Sequence, residues 1–147
     1  MTTIAEARGV LTTWIADWSE RRIGYRVVRL RGTGAAIGFA GVRLVESPGF
    51  SPGAVLNLYY RLDPDHWHRG YATEASAAVL REAATRFPAV PVVARIAVVN
   101  ESSSAVARSL GMALTGWQDP GDPMPHRIFR SPDLATEVPV PGPRPRP

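Results

Sequence analysis

Residues 63–75 read DPDHWHRGYATEA, and the passage from Leu62 to Ala75 decides the fold. The stretch before it, AVLNLYYRL (54–62), is apolar and rich in strand-forming residues. Asp63-Pro64 stops it, because proline cannot donate to a strand ladder and keeps its predecessor out of the helical region. From Gly70 to Phe87 the pattern changes. Ala72, Ala75, Val79, Leu80, Ala83 and Phe87 fall on one helical face, while Glu82 and Arg86 make an i,i+4 pair on another. The order is strand, polar loop, helix, with Arg69-Gly70 at the helix start. A glycine there lets backbone N–H groups approach an anion without a side chain in the way, so the stretch predicts an anion site.

Upstream, residues 4–22 space Leu11, Trp14, Ile15 and Trp18 at helical intervals, with charges opposite. YRVVRLR (25–31) and AAIGFAGVRLV (35–45) flank Gly32-Thr33-Gly34 and predict a hairpin. The same glycines come close to a dinucleotide fingerprint, but Ile37 stands at the third glycine position and a strand follows instead of a helix. A Pro/Gly/Ser loop occupies 46–53. Downstream, VVARIAVV (92–99) is a β-branched strand of the buried kind. ESSSAVARSLGM (101–112) predicts a helix with Asn100 as N-cap and Gly111 as C-cap. Two short strands follow, ALTGW (113–117) and HRIFR (126–130). Helices and strands in this order predict an α/β (mixed α+β) fold, a mixed sheet covered by helices. No internal repeat is present. Residues 132–147 hold six prolines and few large apolar groups, which predicts a disordered tail after a single domain at 1–131.

The chain has 147 residues, 45% hydrophobic and 20% charged, enough for one globular domain with a sizeable core. No cysteine is present, which excludes disulfides, thiolate zinc sites and a cysteine nucleophile and suits a reducing compartment. The N-terminus does not read as a secretory signal, and the longest apolar run, AVPVVARIAVV, is too short to span a bilayer. A cytoplasmic protein with no membrane partner is expected. The formal net charge is +4, carried without a single lysine by arginines spread along the chain. That modest field suits an anionic small ligand as well as a polyanion, and no aromatic-basic reader motif supports a nucleic-acid partner. His66, His68 and His126 lack the spacing and the carboxylates of a metal site, and Ser102, Ser103 and Ser104 lack a nucleophile elbow, so no metal is expected.

Two motifs together carry a family resemblance. The first runs Tyr60-Arg61-Leu62, then Trp67-His68-Arg69-Gly70-Tyr71-Ala72-Thr73-Glu74-Ala75. The second is Asn100 and Ser103 before a helix that closes on Leu110-Gly111-Met112. In this order and on these units the chain, from about residue 4 to 130, resembles the GNAT superfamily of acetyl-CoA-dependent N-acetyltransferases. The nearest branch is that of RimJ and RimL, which acetylate ribosomal-protein N-termini. The resemblance implies a mostly antiparallel mixed sheet with one splayed strand pair. It also implies acetyl-CoA as cosubstrate and a protein N-terminus or small-molecule amine as acceptor, in a monomer or homodimer. Relatives begin with a strand and a helix ahead of the first helix seen here, so the resemblance implies a chain that starts late.

The resemblance also implies roles. The backbone of His68, Arg69, Gly70, Tyr71, Ala72 and Thr73 would hold the pyrophosphate. Strand groups at Tyr60 and Leu62 would bond the pantetheine arm and polarise the thioester, Asn100 would meet pantetheine, and Ser103 would sit by the sulfur and protonate it. Trp14 and Trp18 read as core packing before cleft wall, and Glu74 as helix-terminus stabiliser. Asn57 stands where many relatives carry a glutamate base, and Ala107 where other branches carry a tyrosine acid. With no evident base the amine must arrive neutral or lose its proton through water. An α-amine with pKa near 8 is neutral in roughly one molecule in ten at pH 7, a lysine ε-amine in about one in a few thousand. An α-amine acceptor is therefore expected. A non-catalytic acyl-CoA-binding relative is the alternative.

Overall fold

The computed structural model of the chain describes residues 3–46, 48–51, 53–119 and 121–131; the Pro-rich tail at 132–147 lies outside them. Helix α1 (Ile4–Arg21) opens on a capping box, in which Thr3 Oγ1 accepts from Glu6 N–H and the Glu6 carboxylate accepts from Thr3 N–H. Strands β1 (Tyr25–Arg29) and β2 (Ala36–Val45) form the expected hairpin, closed by Leu30 N–H to Ala35 O at 2.9 Å. Strand β3 (Val55–Leu62) leads into α2 (Tyr71–Arg86), β4 (Val92–Ala97) into α3 (Glu101–Ser109), and β5 (Ala113–Leu114) and β6 (His126–Arg130) close the domain.

The six strands lie in the order β1-β2-β3-β4-β6-β5, antiparallel except at β3·β4. Strand alternation gives the sheet two faces. One carries Val42, Leu56, Leu58, Val92, Ala94, Ile96 and Phe129 into the main core, which α2 and α3 cover with Ala83, Val79, Leu80 and Ala107. The other carries Val55, Val93 and Ile128, packed by Phe50 and Trp117, and an aromatic group of Trp14, Tyr25, Phe39 and Tyr59 beside α1.

Two expectations are refined. Only half of the apolar stripe expected on α1 seats it: Leu11 is 52% and Ile15 57% exposed. The helix is held by the stripe's two tryptophans, Trp14 against the rings of Tyr25 and Phe39 and Trp18 through its Nε1–H donated to Tyr25 O at 2.8 Å, and by the Asp17–Arg43 pair at 2.6 Å. In α2 the buried positions are Ala83 and Ser76, the latter a polar residue at the centre of the apolar face between Ala72 and Leu80, where its small side chain suits close packing on the sheet.

Candidate functional site

β3 is paired along its whole length on one side and hardly at all on the other. With β2 its register runs from Val45↔Val55 to Gly38↔Leu62, whereas with β4 it holds only Leu56↔Val92 and Asn57↔Val93. Leu56 N–H donates to Pro91 O at 2.9 Å and Asp63 N–H to Ile37 O at 2.7 Å, so even-numbered peptide groups of β3 face β4 and odd-numbered ones face β2. Beyond the last paired residues, Tyr60 and Leu62 present their N–H groups to a gap. The expected splayed pair is thus β3 and β4, and between them opens a cavity of about 910 Å³.

The mouth of that cavity is the loop that the sequence singled out. Asp63 starts it by accepting from Asp65 N–H with Oδ1 (3.0 Å) and from His66 N–H with its carbonyl (2.9 Å), which winds Pro64–His66 into a short 3-10 turn. Trp67 then donates Nε1–H to the Leu62 carbonyl at 2.8 Å and pins the loop to the strand end. His68 and Gly70 both take left-handed backbone, at φ 60° and 79°. At Gly70, a side chain would meet nothing within 4 Å. The space a Cβ would claim is left open at the cavity edge, where the first N–H groups of α2 have no intrahelical partner and no side-chain cap. The positive end of the helix dipole lies there too, so the chain leaves an anion-sized place with donors around it.

On the opposite wall, Asn100 N–H donates to the Ala97 carbonyl at 2.8 Å, and Asn100 Oδ1 accepts from Ser103 N–H at 3.1 Å, the expected cap of α3. The Tyr60 hydroxyl reaches across and donates to the Ser103 carbonyl at 2.7 Å. Burial pushes the Tyr60 phenol up to about 12 against the opposing effect of that hydrogen bond, so it stays protonated and acts as a strut between β3 and α3.

Of the residues expected at the site, Tyr60, Leu62, His68, Gly70, Tyr71, Ala72, Thr73, Asn100 and Ser103 line this one cavity. Arg69 is exposed and outside its lining. Trp14 and Trp18 pack around Tyr25, away from it. Sequence reasoning passed over Arg95 and Ala97, which line the β4 wall, although a lone arginine in a buried strand was a visible signal. Among the described residues no group of three His, Asp or Glu side chains converges to hold a metal ion, and no helix is long and apolar enough to cross a membrane.

The comparisons agree with this architecture. A family model described as an acetyltransferase (GNAT) domain matches residues 1–113. A protein described as a GnaT-family acetyltransferase, from Bordetella pertussis, shares 25% identity and superposes with a TM-score of 0.75, over 87% of this chain and 77% of its own. An acetyltransferase from Agrobacterium tumefaciens gives 27% identity and a TM-score of 0.74, over 88% and 72%. RimL, a ribosomal alpha-N-protein acetyltransferase solved in complex with coenzyme A, shares the fold at 19% identity with a TM-score of 0.69, over 88% and 73%. No curated protein sequence matches the chain significantly.

Proposed function

The chain belongs to the acetyltransferase (GNAT) domain family, and from that premise we propose that it moves an acetyl group from acetyl-CoA to a primary amine, an α-amine in preference to a lysine ε-amine. The observation that carries the reading is the pair of β3 peptide groups, at Tyr60 and Leu62, left facing the β3–β4 gap beneath the N-terminus of α2. The cavity fits the cosubstrate: Gly70 leaves room for a pyrophosphate, and the gap offers an extended arm the strand edge that a neighbouring strand would otherwise take.

Acetyl-CoA would supply the activated acetyl group, as a thioester. The donors from His68 to Thr73 would hold its phosphates, the small Gly70 and Ala72 admitting them. The N–H groups of Tyr60 and Leu62 lie where they would bond pantetheine and stabilise negative charge on a carbonyl oxygen. Asn100 and Ser103, at the start of α3, would flank the arm, with Ser103 or a water beside it giving a proton to the departing sulfur. This is direct transfer in a ternary complex, its advantage coming from positioning. Asn57 has no carboxylate to offer, which favours an acceptor already partly neutral. The α-amine is that acceptor, the class on which RimL acts.

A CoA-release assay with a peptide α-amine and a lysine ε-amine, run at pH 7 and pH 9, tests the reading. The α-amine should be faster by more than tenfold at pH 7, with the gap narrowing at pH 9. A faster ε-amine at pH 7 contradicts the acceptor assignment. No turnover of any amine, despite tight acetyl-CoA binding, leaves a non-catalytic acyl-CoA-binding protein.

A further inference from the structure

Sequence reading found no base, and the site as described supplies none, yet one cluster beside the cavity has the form of one. On β4, Arg95 and Ala97 line the cavity wall. The ladder with β6 sets Ala97 directly opposite His126 and Arg95 opposite Ile128, and residues opposite one another share a face. His126 therefore stands on the same face as the two wall residues, one strand over, beside Ala97 and just outside the cavity lining. The Arg95 guanidinium confirms that placement by crossing to the loop before β6, where its Nη2 lies 2.5 Å from Asp122 Oδ2 and 3.7 Å from Asp119 Oδ2.

Asp122 holds His126 as well. Its Oδ2 meets His126 Nδ1, and the Met124 carbonyl lies 2.8 Å from the same nitrogen. A carbonyl and a carboxylate only accept, so Nδ1 carries a proton and Nε2 of the neutral ring carries the lone pair. Burial raises the Asp122 carboxyl, but Met124 N–H, Arg95 and His126 outweigh it and hold it below its ordinary value, so it is ionised at neutral pH. The imidazole is 18% exposed and Asp122 only 7%. The other charges nearby are the Arg127–Glu101 pair between β6 and α3, at 2.9 Å, which is satisfied internally.

We propose that His126, oriented by Asp122, is the proton acceptor for the amine that enters the β3–β4 gap from the β6 side. The proposal rests on the transfer reading above. An acceptor arriving as R–NH3⁺ gives one proton to Nε2, leaving R–NH2 and an imidazolium; the imidazolium later releases that proton to solvent. The amine nitrogen then bonds the thioester carbon, the C–S bond breaks, and the second amine proton goes to the departing sulfur, leaving amide and thiol. His126 takes a proton more readily from an α-amine with pKa near 8 than from an ε-amine near 10.4, because the α-ammonium is the stronger acid. The acceptor preference is kept.

The test uses the full chain, acetyl-CoA and a peptide α-amine. In wild type, kcat/KM should fall on the acidic side with the titration of one imidazole, as the base is protonated. His126→Gln should lower kcat about a hundredfold at pH 7, flatten that limb, leave acetyl-CoA affinity within twofold, and lose most of its deficit by pH 9–10, where the amine is neutral without help. Added imidazole should restore part of the rate. Independently of turnover, spectra of ¹⁵N-histidine-labelled wild type at pH 7 should show His126, assigned by eliminating the signals lost in His66→Gln and His68→Gln, as the Nδ1–H tautomer. A folded His126→Gln with wild-type rate and pH profile overturns the proposal, and so does an Nε2–H tautomer. The second readout decides the matter if the variant fails to fold. A wild type that binds acetyl-CoA and turns over no amine overturns the transfer reading itself, a result distinct from either.

Discussion

The two edges of β3 are built from the same eight residues and behave as opposites. Toward β2 every residue from Val55 to Leu62 has a partner, and Gly38 lets the backbones close up at Arg61 and Leu62. Toward β4 only Leu56 and Asn57 do, and the strands part around a cavity of about 910 Å³. The zipped edge contributes stability, since each paired peptide group is satisfied within the chain. The open edge leaves peptide groups for something else to satisfy. The lesson is that a missing ladder is as informative as a formed one.

The largest effect is expected on β2, the strand that zips β3, where its other side meets β1. A Cβ on Gly41 would run into the Gly24 carbonyl oxygen and lie 2.6 Å from Tyr25 Cα, both backbone atoms that cannot swing aside. Gly41→Ala should cost about 3 kcal/mol, roughly 10 °C in Tm, and thermal unfolding checks it. An unchanged Tm would show that β1, β2 and β3 are less tightly joined than described. On the open edge the same logic predicts the reverse balance. At Gly70 a side chain has room, so Gly70→Glu should fold, with the loss of about 1–2 kcal/mol that a left-handed non-glycine residue incurs. Acetyl-CoA affinity should fall at least tenfold by titration calorimetry, because a carboxylate would stand in the proposed phosphate place. Wild-type affinity in the folded variant would remove the loop from the site.

The smallest effect sharpens how the gap is held. Tyr60→Phe removes the hydroxyl that spans from β3 to the Ser103 carbonyl and should lower stability by about 1 kcal/mol, the usual net worth of such a bond. Because the phenol titrates only near 12, the difference should stay constant from pH 6 to pH 9. A variant as stable as wild type would mean the strut bears no strain between the two walls.

What could be read from the sequence was whatever depends on local turn chemistry. Asp63-Pro64, Gly70 and Asn100 each fix a backbone event within a few residues, and the elements around them form as expected. The hairpin at Gly32 to Gly34 was legible for the same reason. The α1 face was half legible: Trp14 and Trp18 fall on the expected stripe and seat the helix, whereas the ion pair of Asp17 with Arg43, a partner 26 residues away, does not show in its periodicity. Strand β5 shrank to Ala113–Leu114 because an edge strand needs only its neighbour's ladder. The Arg95–Asp122–His126 cluster was invisible for a deeper reason. It exists only after β4 and β6 pair, and in the sequence His126 is an isolated histidine in a Pro-rich stretch.

The claim that the open edge of β3 is the acyl-CoA site can be put most directly by amide hydrogen exchange, with and without acetyl-CoA. The account predicts that the N–H groups of Tyr60 and Leu62, and those from His68 to Thr73, slow markedly when acetyl-CoA is added. The odd-numbered amides of β3, already bonded to β2, should exchange at the same rate in both states. Saturating acetyl-CoA with no change at Tyr60 and Leu62, or with protection appearing on the β1–β2 side instead, would contradict it.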